Sequence, residues 1–240
     1  MSAKPSGTRE QNAVGEWLEQ VGLIRPQLAT AAEKVPTLLP YFDSLTGVVA
    51  CFGRTELVAR TYDRAVALGL QPERHDALAA EVRKHNEAGI AQTAVLRSTL
   101  KQLEKDLGAA KLAKAHVNAR LTECSDEFKA ALVDWDMKGS DAKKIADVLD
   151  EMVGLVTKKG AAALPGYLDK TFAELVEVRQ RPDRGAIDNI PWWKILIIVG
   201  MVGWWIIQIL WCNAFGCAPA SVAFWWLIQA IHLVAFVLFC

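Results

Sequence analysis

The chain lacks charge at its C-terminal end: Ile195–Cys240 contains no Asp, Glu, Lys or Arg, although the 240 residues include 27 basic and 27 acidic side chains. All of those charges lie within residues 1–194, where they make up about 28% of the sequence, as in ordinary soluble domains. A run of 46 uncharged residues is not typical of a solvent-facing surface. The sequence therefore joins a soluble part to a part with the composition of a membrane protein.

Other absences narrow the class further. The balanced charge excludes the strongly basic character of most nucleic-acid-binding proteins, so we expect no nucleic-acid partner. The first ten residues contain no apolar run, and we expect no secretory signal peptide there. No alternating polar and apolar pattern with hairpin turns is present, which excludes a predominantly β fold. The sequence predicts an all-α protein.

The sequence also lacks the motifs that carry common enzyme chemistry. It contains no Walker A sequence and none of the dinucleotide, serine-hydrolase, zinc-protease, paired-cysteine or calcium-loop patterns. His75, His85 and His116 have no ligand spacing, and we expect them to face solvent. We therefore expect that the protein is not an enzyme and binds no cofactor or metal.

Two apolar runs, each long enough to span a membrane, make up most of residues 192–240, and Lys194 is the one charged residue within them. A bilayer core about 30 Å thick requires roughly 20 helical residues. Trp192–Trp211 and Val222–Cys240 have this length, and turn-forming residues join them. The sequence predicts a transmembrane helical hairpin in residues 192–240, in which Gly200 and Gly203 would allow another helix to approach closely. A helix pair buried in a soluble fold is the alternative.

Aromatic and basic side chains mark the ends of the first run. Those at the predicted membrane–water boundaries are Trp192, Trp193, Lys194 and Trp211. Basic residues before the run favour a cytoplasmic location for this side. We expect an integral protein of a bacterial inner membrane, with its N-terminal domain in the cytoplasm. Cys212 and Cys217 bracket the turn on the far side, where they would either form a disulfide or pack as small apolar residues.

Three polar side chains are predicted to lie inside the bilayer: Gln208, Gln229 and His232. Buried polar groups take hydrogen-bond partners, and helical spacing would pair Trp204 with Gln229 and Gln208 with Trp225 across the hairpin. His232 would be either a neutral side chain with such a partner or a pore-lining group.

The soluble part is predicted to be one helical domain over residues 11–180. A disordered N-terminus at 1–10 precedes it, and a linker at 181–191 leads to the membrane. Prolines predict a connector at Pro36–Pro40, followed by separate segments at Tyr41–Gly53 and Thr55–Leu70.

Glycine and proline residues predict where the last helices of the domain begin and end. An amphipathic helix over Asp141–Lys159 is predicted to end at Gly160, because glycine is common directly after a helix. A second break is expected at Pro165 and Gly166, before a helix over Tyr167–Arg179.

No proline occurs between Pro72 and Pro165, and apolar residues repeat there at alternating spacings of four and three. This periodicity predicts a coiled-coil-like seam. Its positions include Leu96, Leu100, Leu103, Leu107, Lys114, Val117, Leu121 and Phe128. A single helix over residues 73–137 would be about 95 Å long, and Gly89 or Gly108 would otherwise divide it into antiparallel helices. The seam is either a self-association surface or an ordinary face within a bundle.

Three functions fit these features. The first is a membrane-anchored interaction protein that binds itself or a helical partner as well as the bilayer. The second is a membrane-permeabilising effector, since a helical domain with a charge-free hairpin is similar in outline to pore-forming bacteriocin domains. That resemblance is one of architecture and implies a hairpin sheltered until it inserts. The third is a small oligomeric ion or proton channel lined by the intramembrane polar residues.

Overall fold

The computed structural model describes residues 36–69, 72–109 and 139–180, together with individual positions within 19–26, 118–130 and 199–207. Helices and turns account for nearly all of these residues, and no strand occurs among them. The prediction of an all-α fold is therefore confirmed for the described part of the chain. The predicted N-terminus at 1–10, the linker at 181–191 and the second apolar run at 222–240 lie outside the described residues.

Four helices form the described domain: α1 (Leu38–Ala67), α2 (Pro72–Ala109), α3 (Gly139–Lys159) and α4 (Ala163–Gln180). Helix α1 packs against α2, α2 packs against α4, and α3 packs against α4. Helix α2 therefore lies centrally and carries α1 and α4 on its surface. Within the part of the chain that the structure describes, no helix has both the length and the apolar character needed to cross a bilayer.

Helix α1 runs without interruption through the region where a connector and two separate segments were expected. Pro40 is its third residue and lies in the first turn, where a backbone N–H has no partner within the helix. The N–H of Tyr41 donates to the carbonyl oxygen of Thr37 at 3.1 Å and begins the helical ladder. Gly53 is buried within the helix. The predicted break was wrong because a proline at this position costs the helix no hydrogen bond.

A tight turn makes α1 and α2 an antiparallel pair. Gly69 ends the turn with φ of 65°, a left-handed conformation that glycine adopts without a Cβ clash. Pro72 then begins α2, where its fixed φ suits the first helical position. At the opposite end of the pair, the Thr37 hydroxyl donates to the Asp106 carboxylate at 2.7 Å. The described residues between 118 and 130 are also helical, whereas residues 110–117 of the predicted 73–137 helix lie outside the described residues.

Helices α3 and α4 are joined by a short turn. Gly160 has φ of 92° and donates its N–H to the carbonyl of Val156 at 2.8 Å, so α3 ends at the predicted glycine. Helix α4 begins at Ala163, and Pro165 occupies its third position. The expected break at Pro165 and Gly166 was therefore wrong, for the same reason as at Pro40: a first-turn proline does not interrupt the helix.

The core is built from apolar side chains contributed by all four helices. The largest fully buried side chains are Tyr41, Phe42, Phe52, Phe172, Leu45, Leu96, Leu100, Leu103 and Leu121. On α3 the buried side chains are Ile145, Leu149, Met152 and Val156. Residues of α1 and of α4 both contact a further helical segment, and we call the space that it occupies between them the groove.

Candidate functional site

Part of the charge-free end lies in the groove between α1 and α4. Six of its residues are described, and all of them are helical and buried: Val199, Gly200, Val202, Gly203, Ile206 and Ile207. The four apolar side chains among them are at most 3% exposed. We call these six residues the docked segment. Their burial places part of the first predicted membrane run against the helical domain.

Two glycines of the docked segment fit against two bulky side chains of α4. A Cβ added at Gly200 would lie 2.3 Å from Cζ of Phe172, and one added at Gly203 would lie 2.6 Å from Cδ2 of Leu168. Both distances are shorter than van der Waals contact, so a larger side chain would displace its buried neighbour. The docked segment runs antiparallel to α4, because its later glycine meets the earlier α4 residue.

Tyr41 connects the docked segment to α1. Its hydroxyl donates a hydrogen bond to the carbonyl oxygen of Gly200 at 3.2 Å. The side chain is fully buried, and this burial raises the pKa of the Tyr41 phenol. The hydroxyl therefore remains protonated at neutral pH and can donate this bond, which fixes the position of the docked segment along the groove.

Charged groups border the groove on α4. The Arg97 guanidinium donates to both carboxylate oxygens of Asp169, at 2.7 and 3.3 Å, and this pair joins α2 to α4 directly beside Leu168. Lys170 and Glu174 are exposed on the same helix. The groove is thus apolar inside and bordered by charged side chains that face water.

Arg179 fixes the end of α4. Its Nε donates to Oδ1 of Asn86 at 2.7 Å, and its Nη1 lies 3.4 Å from Oε1 of Glu56. The guanidinium also lies 4.8 Å from the centre of the Phe52 ring, a cation–π distance. Asn86 completes the arrangement by donating to the Arg179 carbonyl at 3.1 Å. We call this group the Arg179 clamp; it holds the last turn of α4 against α1 and α2.

The described residues do not gather groups suited to metal binding: no cluster of three or more His, Cys, Asp or Glu side chains occurs among them. Cys51 is a partly buried free thiol, and burial raises its pKa against the opposing effect of Arg54, so little thiolate forms at neutral pH. Burial and the neighbouring Glu151 carboxylate raise the pKa of Tyr167 to about 12. The groove is therefore a surface that binds an apolar helix, mainly through packing contacts between side chains.

The predicted seam lies largely inside the domain where it is described. Leu96, Leu100, Leu103 and Leu107 are at most 3% exposed on α2, and Leu121 is 1% exposed. Lys114, Val117 and Phe128 lie outside the described residues. Packing within one chain accounts for the burial of the five leucines, and self-association through this seam stays a prediction.

The remaining candidate residues lie outside the described residues. They are Trp192, Trp193, Lys194, Trp211, Gln208, Gln229, His232, Cys212 and Cys217, and their roles stay predictions. Of the histidines expected to face solvent, His75 and His85 are both partly buried, and His116 lies outside the described residues. His75 packs edge-on against the ring of Tyr62, with centroids 5.8 Å apart. That expectation was wrong for His75 because the adjacent helix α1 covers it.

The glycine spacing predicted a close helix approach, but the sequence did not identify the partner. The sequence did not predict a binding role for Leu168, Phe172 or Tyr41. An apolar helix face has the same sequence pattern whichever helix covers it. No family model, curated protein or solved structure matches this chain. Its function is therefore inferred from its own residues.

Proposed function

We propose that this protein is a membrane-inserting helical protein of the effector class, whose helical domain carries the start of its charge-free end in water before that end enters a bilayer. The observation that carries the proposal is the fit of Gly200 and Gly203 against Phe172 and Leu168 in the groove. In the bilayer the charge-free end forms the predicted hairpin, with spans at 192–211 and 222–240. The helical domain stays on the cytoplasmic side of a bacterial-type membrane.

The energetics support a stored form. Burying a Val or Ile side chain contributes about 1.5–3 kcal/mol relative to water, and four such side chains of the docked segment are at most 3% exposed. The same residues are also suited to lipid, because they are uncharged and apolar. A segment that is stable both in a protein groove and in a bilayer has the property that a stored membrane-inserting helix needs.

A constitutive membrane anchor is the second candidate. It is favoured by the length of the runs 192–211 and 222–240, each of which matches the bilayer core. An anchor and an inserting effector differ in two measurable ways. An anchored protein stays in the pellet when isolated membranes are washed with carbonate. Its expression also does not depolarise the membrane. A stored effector is partly recovered in the soluble fraction and depolarises the membrane when it inserts.

A charge in the second run tests the membrane proposal directly. Ile231→Arg places a charge at the centre of that run, which costs about 2.5–3.5 kcal/mol in a bilayer. We expect binding to vesicles of phosphatidylethanolamine and phosphatidylglycerol to fall by about 100-fold. Phe239→Arg is the matched control, because an arginine near the end of a span reaches the interface and we expect little loss. Wild-type protein that does not float with such vesicles would contradict the proposal.

A further inference from the structure

We infer that the groove between α1 and α4 is a retention site for the docked segment, and that occupation of this groove and insertion of the same residues into a bilayer exclude each other. The inference rests on the proposed function, since it concerns how membrane entry is restrained. The ligand of the site is part of the chain itself, the six described residues of the docked segment, and the site is defined by Tyr41, Leu168 and Phe172.

The fit is specific to the groove rather than to lipid. The Cβ distances of 2.3 Å to Phe172 and 2.6 Å to Leu168 mean that these two α4 side chains occupy the space of the missing glycine side chains. Lipid chains adapt to any helix surface, so contact with lipid alone would not need glycine at both positions. The hydroxyl of Tyr41 adds a directed bond to the Gly200 carbonyl. Small residues, bulky partners and one hydrogen bond therefore select a single position of the docked segment.

The groove cannot accompany the docked segment into the membrane. In a helix over residues 192–211, Gly200 and Gly203 lie about 12 and 16 Å from the start, close to the bilayer centre. Leu168 is followed on α4 by Asp169, which is paired with Arg97, and by the exposed Lys170. Charged side chains at that depth are strongly unfavourable. The docked segment must therefore leave Leu168 and Phe172 before it spans the bilayer.

A reversible crosslink tests the exclusion in the full-length chain. Leu168→Cys together with Gly203→Cys removes the side chain that fills the glycine space and places two thiols in it, because Cγ of Leu168 lies 3.1 Å from the position of a Cβ added at Gly203. The five native cysteines are replaced by alanine: Cys51, Cys124, Cys212, Cys217 and Cys240. We expect the disulfide to form on mild oxidation. The oxidised protein should bind vesicles of phosphatidylethanolamine and phosphatidylglycerol about tenfold less than the reduced protein, a difference equivalent to about 1.4 kcal/mol.

A second cysteine pair provides the control. Gly154 lies on α3, and a Cβ added there has no neighbouring atom within 4 Å. The variant with Gly154→Cys and Leu168→Cys keeps Gly203, so the docked segment meets no added side chain. It should form no intramolecular disulfide, and oxidation should leave its vesicle binding unchanged. Helix content by circular dichroism and monodispersity on gel filtration are measured for both variants, so that loss of folding is recognised.

Each outcome of the flotation assay has a separate meaning. A Leu168–Gly203 cysteine pair that does not crosslink in the folded protein overturns docking in the groove. A crosslinked protein that floats as well as its reduced form overturns the exclusion. If the crosslink forms but the reduced protein does not float, the membrane function is wrong and the exclusion fails with it, whereas the groove and its occupant stand.

Discussion

Among the described residues, two glycines lie close against phenylalanine rings, one inside the helical domain and one in the groove. A Cβ added at Gly89 would lie 2.5 Å from Cε1 of Phe52, and one added at Gly200 would lie 2.3 Å from Cζ of Phe172. The two contacts therefore use the same close approach of a helix to a buried ring. They differ in what surrounds the ring.

The Phe52 ring lies beside a group of polar interactions, whereas the polar bond described beside the Phe172 contact is the one from Tyr41 to Gly200. The Arg179 guanidinium covers the Phe52 ring and also contacts Asn86 and Glu56, with Arg179 and Glu56 side chains only 11% and 19% exposed. At the groove, the described polar bond to the docked segment is that of Tyr41 to Gly200. The two contacts share the steric fit and differ in the polar bonds described around it. On the proposed function, we expect the contact inside the domain to be permanent and the contact in the groove to be releasable.

The largest effect is expected when the permanent contact is blocked. Gly89→Leu drives a side chain into the buried Phe52 ring, and overpacking of this kind costs about 3 kcal/mol. We expect the free energy of unfolding to fall by that amount in urea titrations followed by circular dichroism. Gly154→Leu is the control, because its site is open, and we expect a loss below about 1 kcal/mol. Equal losses in the two variants would show that Gly89 is not sterically special.

A smaller effect is expected when the clamp is removed. Arg179→Leu deletes the hydrogen bonds to Asn86 and Glu56 and leaves their polar groups without this partner, which costs about 2 kcal/mol. Arg179→Lys retains the charge but loses the planar hydrogen-bonding fork, so we expect it to recover part of the stability. The urea midpoint measures both variants. If the urea midpoint of Arg179→Leu equals that of the wild type, polar bonds do not distinguish the two glycine–phenylalanine contacts.

The smallest effect is expected at the polar bond of the groove. Tyr41→Phe removes the hydroxyl that donates to Gly200, and loss of one neutral hydrogen bond costs about 1 kcal/mol. Release of the docked segment then becomes easier, and we expect vesicle binding to rise about fivefold. Tyr167→Phe is the control, because the Tyr167 hydroxyl bonds to Glu151 on α3, away from the groove. Unchanged flotation of Tyr41→Phe would remove this bond from the retention site.

Ionisation of Tyr41 makes the stability of the folded protein depend on pH. Burial raises the pKa of Tyr41 in the folded protein, whereas in the unfolded chain a tyrosine ionises near pH 10. Above that pH the unfolded chain binds fewer protons than the folded one, so stability is present below about pH 10 and is lost as the pH rises further. We expect a shallower loss in Tyr41→Phe, measured by urea unfolding between about pH 9 and 11. Tyr167, with a pKa of about 12, contributes a loss of the same sign, which Tyr167→Phe removes separately.

The sequence predicted the parts of the fold that depend on local chemistry. The helix class followed from apolar spacing, and the end of α3 at Gly160 followed from the need for a left-handed residue after a helix. The breaks expected near Pro40 and Pro165 were wrong, because a proline in the first helical turn and one in a helix interior look the same until the start of the helix is known. Start positions depend on tertiary packing.

The groove depended on information that one sequence does not carry. Gly200 and Gly203 indicated close packing, but a small-residue face accepts any bulky helix, in water or in lipid. The choice of Phe172 and Leu168 as partners is set by where α4 lies on α2, which a contact such as that of Arg97 with Asp169 fixes. Pairing between distant segments therefore had to come from the structure.

The chain separation between the groove and its occupant has a further consequence. Helix α4 ends at Gln180 and the docked segment begins at Val199, so 18 residues tether the two. A tether of this length creates an effective concentration on the order of millimolar, and a free peptide copying the docked segment would need a similar concentration to compete. In the proposed inserted state residues 192–198 belong to the first span, so the link is the 11 residues 181–191, which reach about 40 Å when fully extended. On the proposed function, a link of this length lets the docked segment enter a nearby bilayer while the helical domain stays at the membrane surface.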